Sequence, residues 1–175
     1  MPNGCERTVN AGNGWQVTLI SPVTNTPSTT FQYELTRIEG VTSRQMSNVR
    51  ICLCPGISDD DREDLLVSCS YTVFFDDDST ESCSGPNEEC CFIDNRIPNP
   101  NENPAACEGL KFDNIPSGSG GVEQERIILN LTLSMPLPVG PVSIGLAAGN
   151  LPAVATGVCG PVCDNIIPPT RGIIL

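Results

Sequence analysis

The sequence predicts an all-β protein, an antiparallel β-sandwich of jelly-roll type with about eight strands. Apolar and polar residues alternate in at least five segments, as in a strand with one buried face. No segment repeats apolar residues at helical spacing over three turns. The 175 residues include 16 glycines and 16 prolines, which favour short strands joined by turns. A chain of this length is expected to form one domain.

Eight segments account for the predicted strands. They are residues 14–20, 30–38, 46–54, 67–75, 109–114, 123–133, 140–148 and 153–158. In the second segment, Phe31, Tyr33 and Leu35 share one face, so this strand is predicted to be half-buried. Trp15 in the first segment is expected in the core rather than as a platform for sugar stacking.

The strands lie in a predicted domain of residues 14–163, with three segments of different character. Residues 1–13 form a polar N-terminal arm, for which no core contacts are expected. Residues 76–109 form an excursion with few apolar residues and four cysteines, which needs covalent pinning to stay ordered. Residues 164–175 form a C-terminal tail.

Cysteine is the most informative residue type, because the chain has ten cysteines and no histidine. An even number spread along the chain predicts a disulfide or cross-linked framework. The cysteines are Cys5, Cys52, Cys54, Cys69, Cys83, Cys90, Cys91, Cys107, Cys159 and Cys163.

Strand geometry limits the pairing of these cysteines. Cys52 and Cys54 lie two apart on one strand face, too far from each other to bond, so each needs a different partner. The adjacent Cys90 and Cys91 are also expected to reach in two directions, because a vicinal disulfide is strained. Their candidate partners are Cys69, Cys83, Cys107 and the pair Cys52 and Cys54.

The remaining cysteines lie near the chain ends. Cys159 and Cys163 flank Gly160 and Pro161, a predicted turn that would let them bond locally. Cys5, in the arm, is the candidate for an intermolecular bond. A structural zinc site is the alternative, but no Cys-x-x-Cys knuckle is present. A redox enzyme is disfavoured because no Cys-x-x-Cys begins a predicted helix.

The charge balance excludes some partners. Nine basic against 21 acidic residues give a net charge of −12, which disfavours binding to nucleic acid and to anionic membranes. The acidic residues are concentrated in residues 59–64 and 76–81. These two segments are interpreted as solvated loops, with calcium binding as the alternative. Any short helix is expected at residues 59–66, where Ser58 can cap it.

No catalytic pattern stands out in the sequence. A nucleophile elbow and a phosphate-binding glycine loop are absent, and a histidine-containing triad is impossible. A pair of carboxylates for glycoside hydrolysis stays open, although the acidic loops are poor evidence for it. We therefore expect a protein that is not an enzyme and that uses no cofactor and no metal.

The first residues show no basic region followed by an apolar one, so a Sec-type signal peptide is not expected. The apolar stretch at residues 139–148 is shorter than the about 20 residues that span a membrane. Abundant cysteines nevertheless favour an oxidising environment. The expected location is extracellular or on a spore surface.

The order of several short motifs resembles a family of small β-sandwich proteins from spore-forming bacteria. These motifs are Trp15, Phe31-x-Tyr33, Ser47 to Ile51, Gly109 to Asn114, Gly140 to Ile144 and Thr156 to Pro161. The cysteine-rich, leaderless chain is also similar to subunits of bacterial endospore appendages. This resemblance implies jelly-roll units joined by donated strands and inter-subunit disulfides. Appendage subunits typically carry paired cysteines in the N-terminal arm, whereas this arm has only Cys5.

The C-terminal tail completes this hypothesis. Ile173, Ile174 and Leu175 form an apolar end that could add as a strand to a neighbour's open sheet edge, giving a homopolymer. The expected function is a structural subunit that self-assembles into a disulfide-stabilised fibre. The alternative is a secreted monomeric binding module, similar to an adhesin or lectin domain.

Overall fold

The computed structural model describes residues 4–25, 27–94, 96, 107–149 and 151–163. These residues form eleven strands and one α-helix. The elements are β1 (Thr8–Asn10), β2 (Trp15–Asn25), β3 (Ser28–Arg37), β4 (Met46–Cys52), α1 (Asp59–Leu65), β5 (Leu66–Phe75), β6 (Thr80–Gly85), β7 (Cys91–Asp94), β8 (Gly109–Phe112), β9 (Gln124–Leu133), β10 (Val139–Ala148) and β11 (Leu151–Pro161). The all-β class is confirmed, but with eleven strands where about eight were predicted.

The strands form two antiparallel sheets. The six-stranded sheet has the order β1-β2-β3-β9-β5-β6, and the five-stranded sheet has the order β11-β10-β4-β8-β7. The chain crosses from one sheet to the other between β3 and β4, β4 and β5, β6 and β7, β8 and β9, and β9 and β10. These crossings bring strands that are distant in sequence into one sandwich.

Alternating residues of both sheets fill the core. In β3, Phe31, Tyr33 and Leu35 are buried while their neighbours are only partly covered, which confirms the predicted half-buried strand. Trp15 is a core residue, as expected, and its indole N–H donates to the Arg44 carbonyl at 2.8 Å. Burial of a large ring with its one polar atom paired stabilises this end of the sandwich.

The short helix lies where the sequence placed it. α1 begins after Ser58, whose side chain accepts a hydrogen bond from the Asp61 N–H at 3.2 Å. This satisfies one of the free N–H groups at the helix start. The acidic segment 59–64 therefore belongs mostly to a helix rather than to a loop.

The predicted N-terminal arm is wrong for residues 4–13. β1 pairs with β2, and Cys5 is buried with 4% of its surface exposed. The Glu6 N–H donates to the Gly157 carbonyl at 2.8 Å, and the Glu6 carbonyl accepts from the Cys159 N–H at 2.8 Å. Backbone pairing holds this polar segment, and such pairing does not require apolar side chains.

The excursion at residues 76–109 also contributes strands. β6 pairs with β5, and β7 pairs with β8, so each extends one sheet at its edge. Both strands are short, and β6 is largely polar, as edge strands often are. Together with β1, they are the three strands that the alternation of apolar residues did not reveal.

β2 continues beyond its predicted end at residue 20. A β-bulge lies between Leu19 and Ser21, and Pro22 pairs with Phe31 of β3. Proline is tolerated here because β1 pairs with β2 only at residues 16–18, which leaves the outer side of Pro22 without a strand among the described residues.

Candidate functional site

Disulfide bonds link distant segments of the described residues. Four bonds join Cys5 to Cys159, Cys52 to Cys107, Cys54 to Cys163 and Cys69 to Cys91. Their Cα–Cα distances run from 4.9 to 6.2 Å, within the range that a disulfide requires. The predicted use of cysteine in disulfides is confirmed for these residues.

Two predicted roles near the chain ends are wrong. Cys159 does not close locally with Cys163, because β11 continues through Pro161 and no turn separates the two cysteines. Cys163 bonds to Cys54 instead. Cys5 is not free for an intermolecular bond, because the N-terminal segment runs beside β11 and brings Cys5 to Cys159.

The expectation that neighbouring cysteines take different partners is confirmed, although Cys54 lies beyond the end of β4 and not on the strand face where it was predicted. Cys52 and Cys54 have different partners, Cys107 and Cys163. The adjacent Cys90 and Cys91 also diverge, since Cys91 bonds to Cys69 and Cys90 contacts Cys83. The divergence arises where strands meet turns, since Cys54 follows the end of β4 with a φ of 51° and Cys90 directly precedes β7.

The Cys5–Cys159 bond closes one side of the sandwich. The Tyr33 hydroxyl donates to the Cys159 carbonyl at 3.2 Å, and burial raises the pKa of Tyr33 far above its usual value. A β-carbon at Gly160 would collide with this hydroxyl and with Val142. The packing on this side of the sandwich therefore requires a glycine at position 160, in addition to the Cys5–Cys159 disulfide.

The Cys69–Cys91 bond joins the two sheets on the opposite side. Cys69 lies on β5 of the six-stranded sheet, and Cys91 begins β7 of the five-stranded sheet. Gly85 pairs with Cys69, and a β-carbon at Gly85 would lie 2.9 Å from both the carbonyl oxygen and Sγ of Cys91. The small residue thus permits the close approach of the two sheets.

A buried ion pair holds the segment around Cys107. Arg50 and Asp94 are 3% and 4% exposed, and their side chains meet at 2.5 Å. Arg50 also donates to the Asp94 and Cys107 carbonyls at 3.0 and 3.3 Å. Burial opposes ionisation of Asp94, but hydrogen bonds from Arg96 and the charge and hydrogen bond of Arg50 outweigh it and lower its pKa to about 2.

A second buried arginine holds the turn after β4. Arg62 of α1 donates to the Leu53 carbonyl at 2.9 Å and to the Ile57 carbonyl at 3.1 Å. It also contacts the Glu108 carboxylate at 2.9 Å. The arginine therefore links the helix to the backbone around Cys54 and to the end of the excursion.

Sequence reasoning missed both arginines. Arg50 follows the alternation of β4 and lies opposite the core-facing Val49 and Ile51, a position that predicts exposure to solvent. The excursion covers that outer face, and its carbonyl groups accept hydrogen bonds from Arg50. The sequence gives little sign that the excursion covers this face of β4, because the excursion is polar.

Two cysteines carry no disulfide, the half-buried Cys83 and the buried Cys90. Cys83 pairs in register with Tyr71 of β5, and its side chain interacts with that of Cys90. Burial, with the hydrogen bond and charge of Cys83, raises the pKa of Cys90 to about 12. Cys90 is thus a protonated thiol at neutral pH, beside a second thiol.

The acidic loop at residues 76–81 uses its carboxylates in local hydrogen bonds. Asp77 accepts from the Ser79 N–H and hydroxyl at 3.0 and 2.5 Å, and these bonds lower its pKa. Asp76 accepts from the Glu123 N–H at 2.9 Å. Among the described residues, no group of three or more His, Cys, Asp or Glu is placed to hold a metal ion.

Two surface cavities accompany this framework. A groove of about 420 Å³ lies where β4 and β11 end and β10 begins, and a cleft of about 530 Å³ lies where β3 and β5 end and β9 begins. The groove is lined by Cys52, Pro55, Cys107, Pro141, Val142, Ser143, Pro161, Val162 and Cys163. In the cleft, the Arg126 guanidinium lies 4.1 Å from the centre of the Phe74 ring.

No helix in the described residues is long and apolar enough to cross a membrane. Ile173, Ile174 and Leu175, the predicted assembly tail, lie outside the described residues. Comparison of the sequence with protein-family models and with curated proteins finds no match. The geometry of the chain itself must therefore carry any functional proposal.

Proposed function

We propose that the chain is a structural subunit that assembles with copies of itself into an extracellular or spore-surface fibre. The observation that supports this most directly is an incompletely paired strand beside the groove of about 420 Å³. Residues 139–143 of β10 pair with β11 on one side. Within the described residues, β10 pairs with β4 only from Ile144 onward.

An incompletely paired strand can accept another strand. The pairing of β4 with β10 stops at Ile51, and β4 itself ends at Cys52. The backbone of β10 before Ile144 therefore faces the groove, where Val142 and Val162 supply apolar contacts. A segment that entered this groove would gain backbone hydrogen bonds and bury apolar side chains.

The occupant that we propose is the C-terminal tail of a second copy. The described chain ends at Cys163, which lines the groove, and residues 164–175 end with three apolar side chains. The sequence Ile167-Pro168-Pro169 favours an extended conformation, because the residue before a proline avoids the helical region.

The cysteine framework fits a subunit that must endure outside the cell. Disulfides persist in oxidising environments, and four of them tie the described strands together within each subunit. In this proposal the disulfides stabilise the subunit and strand addition joins the subunits. The net charge of −12 keeps free subunits soluble before assembly.

Sedimentation velocity and negative-stain electron microscopy test the proposal. The parent chain should form concentration-dependent oligomers, whereas deletion of residues 166–175 should leave a folded monomer. Pro141→Glu places a charge in the groove at an exposed position and should also weaken assembly. Val67→Glu is the matched control, because Val67 is 53% exposed and does not line the groove. A parent that stays monomeric, or a deletion variant that assembles like the parent, would overturn the proposal.

A monomeric binding module is the second candidate, and the cleft of about 530 Å³ favours it. The cleft presents two arginines, Arg37 and Arg126, beside the aromatic ring of Phe74. Two buried N–H groups of Arg37 have no hydrogen-bond partner. A parent chain that stays monomeric in sedimentation velocity at every concentration would support this candidate over the fibre.

A further inference from the structure

The two free cysteines lie at the side that the Cys69–Cys91 bond closes. Cys83 is on β6, the edge strand of the six-stranded sheet, and Cys90 directly precedes β7 of the five-stranded sheet. Cys83 lies two residues from Gly85, where a β-carbon would lie 2.9 Å from Sγ of Cys91, and Cys90 directly precedes Cys91, so the register places the two free cysteines side by side. Two sulfur atoms placed in this way can bond after only a small shift of side chains.

We propose that Cys83 and Cys90 are a reactive thiol pair that forms a fifth, reversible disulfide by exchange with a low-molecular-weight disulfide. This inference does not depend on fibre assembly. It adds a redox-sensitive bond to a framework in which the other eight cysteines are already paired.

The reaction is a two-step exchange. The Cys83 thiolate attacks one sulfur of the external disulfide, forming a mixed disulfide and releasing one small thiolate. The Cys90 thiol then loses its proton and its sulfur attacks the Cys83 sulfur, which expels the second small thiolate. Two protein thiols are oxidised, one external disulfide is reduced, and the two protons end on the released thiols.

Exposure sets the order of these steps. Cys83 is half-buried on an edge strand and is accessible to a small molecule, whereas Cys90 is buried. The raised pKa of Cys90, about 12, also makes its thiolate scarce at neutral pH. Contact with Cys83 offsets this scarcity, because the second step occurs within one molecule.

The new bond would change how this side of the sandwich is held. Within the described residues, β6 pairs with β5 alone, so its outer edge has no neighbouring strand. A bond from Cys83 to Cys90 would attach β6 to the segment that enters the other sheet. The side would then carry two bonds between the sheets in the oxidised protein and one in the reduced protein.

The test uses the full chain with its four disulfides intact. After mild reduction that leaves these four bonds intact, the protein is treated with oxidised glutathione, alkylated and mapped by mass spectrometry. The parent should lose two hydrogens, show a Cys83–Cys90 cross-linked peptide, and resist alkylation at both positions. Titration with reduced glutathione should restore both thiols without opening the other four bonds.

Two variants distinguish formation of the Cys83–Cys90 disulfide from simple glutathionylation of an exposed thiol. Cys90→Ser should stop at the mixed disulfide of Cys83 with glutathione. The double variant Cys83→Ser, Ser82→Cys moves the thiol to the opposite face of β6, where Ser82 contacts Thr72 at 3.0 Å. It should also accumulate a mixed disulfide and no cross-link to Cys90.

Three outcomes would overturn the proposal. The first is a stable mixed glutathione disulfide on Cys83 in the parent. The second is a disulfide-linked dimer through Cys83. The third is formation of the same amount of cross-link to Cys90 in the Ser82→Cys double variant as in the parent, which would mean that the observed contact does not direct the reaction.

Discussion

The two lateral sides of the sandwich are closed in different ways. On the side of β2 and β11, the N-terminal segment hydrogen-bonds to both sheets, and Cys5–Cys159 bonds it to β11. On the side of β6 and β7, Cys69–Cys91 links the sheets, and the Arg50–Asp94 ion pair lies behind β7. The first side depends on backbone pairing, whereas the second depends more on side chains and can therefore respond to redox state and pH.

Removal of each disulfide gives the largest expected effects. Cys5→Ser with Cys159→Ser should lower the free energy of unfolding by about 4 kcal/mol, and Cys69→Ser with Cys91→Ser by about 3 kcal/mol. The first bond closes the longer loop, even though Cys54–Cys163 shortens that loop to residues 5–54 and 159–163. Urea denaturation of the monomer measures both values. A larger loss for the second pair would contradict the loop-length argument.

Acid should weaken the side of β7. Asp94 has a folded-state pKa of about 2, below the about 3.9 of an unfolded aspartate, so its stabilisation is complete above about pH 4. As pH falls through about 2, this contribution of about 2 kcal/mol is lost. Urea denaturation from pH 5 to pH 2 should show this loss in the parent.

The variant Asp94→Asn tests the assignment. It leaves Arg50 buried without its counter-charge, so it should destabilise the protein by about 3 kcal/mol at pH 7 and remove the acid-dependent loss. Asp113→Asn is the control, because Asp113 forms a more exposed pair with Lys111 and should cost less than about 1 kcal/mol. An unchanged acid response in Asp94→Asn would assign the loss to another group.

The sequence predicted those features that local geometry determines. The alternation of Phe31, Tyr33 and Leu35 identified β3 because its burial has the period of a strand. Ser58 located the helix because an N-cap acts within one turn. The different partners of Cys52 and Cys54 were also predicted, although β4 ends at Cys52 and a turn, not the strand, directs Cys54 to Cys163.

Features that depend on contacts between distant segments were missed. Cys5 and Cys159 are separated by 154 positions, and their bond requires the topology that brings the N-terminus beside β11. β1 and β6 pair through backbone groups, which every sequence provides, so their polar side chains gave no signal. The burial of Arg50 likewise depends on a covering segment that is distant in sequence.

Glycine substitutions compare the packing of the two sides, and the smaller of their two expected effects is at Gly85. Gly160→Ala places a methyl group against the Tyr33 hydroxyl and Val142, and should cost about 3 kcal/mol. Gly85→Ala brings its methyl group to 2.9 Å from Cys91, and should cost about 1 kcal/mol because short edge strands adjust more easily. Thermal unfolding with matched urea titrations measures both.

A double-mutant cycle identifies the cause at Gly160. Tyr33→Phe removes the hydroxyl and its hydrogen bond to Cys159, which should cost about 1 kcal/mol. In the combination with Gly160→Ala, the methyl group no longer meets that hydroxyl, although Val142 still limits the space. The double variant should therefore be more stable than the sum of the single losses predicts, by at least about 0.5 kcal/mol. Strictly additive losses in this cycle would mean that Tyr33 does not impose the requirement for glycine at position 160. In the comparison of the two single glycine variants, a larger loss of stability at Gly85 than at Gly160 would reverse the proposed difference between the two sides.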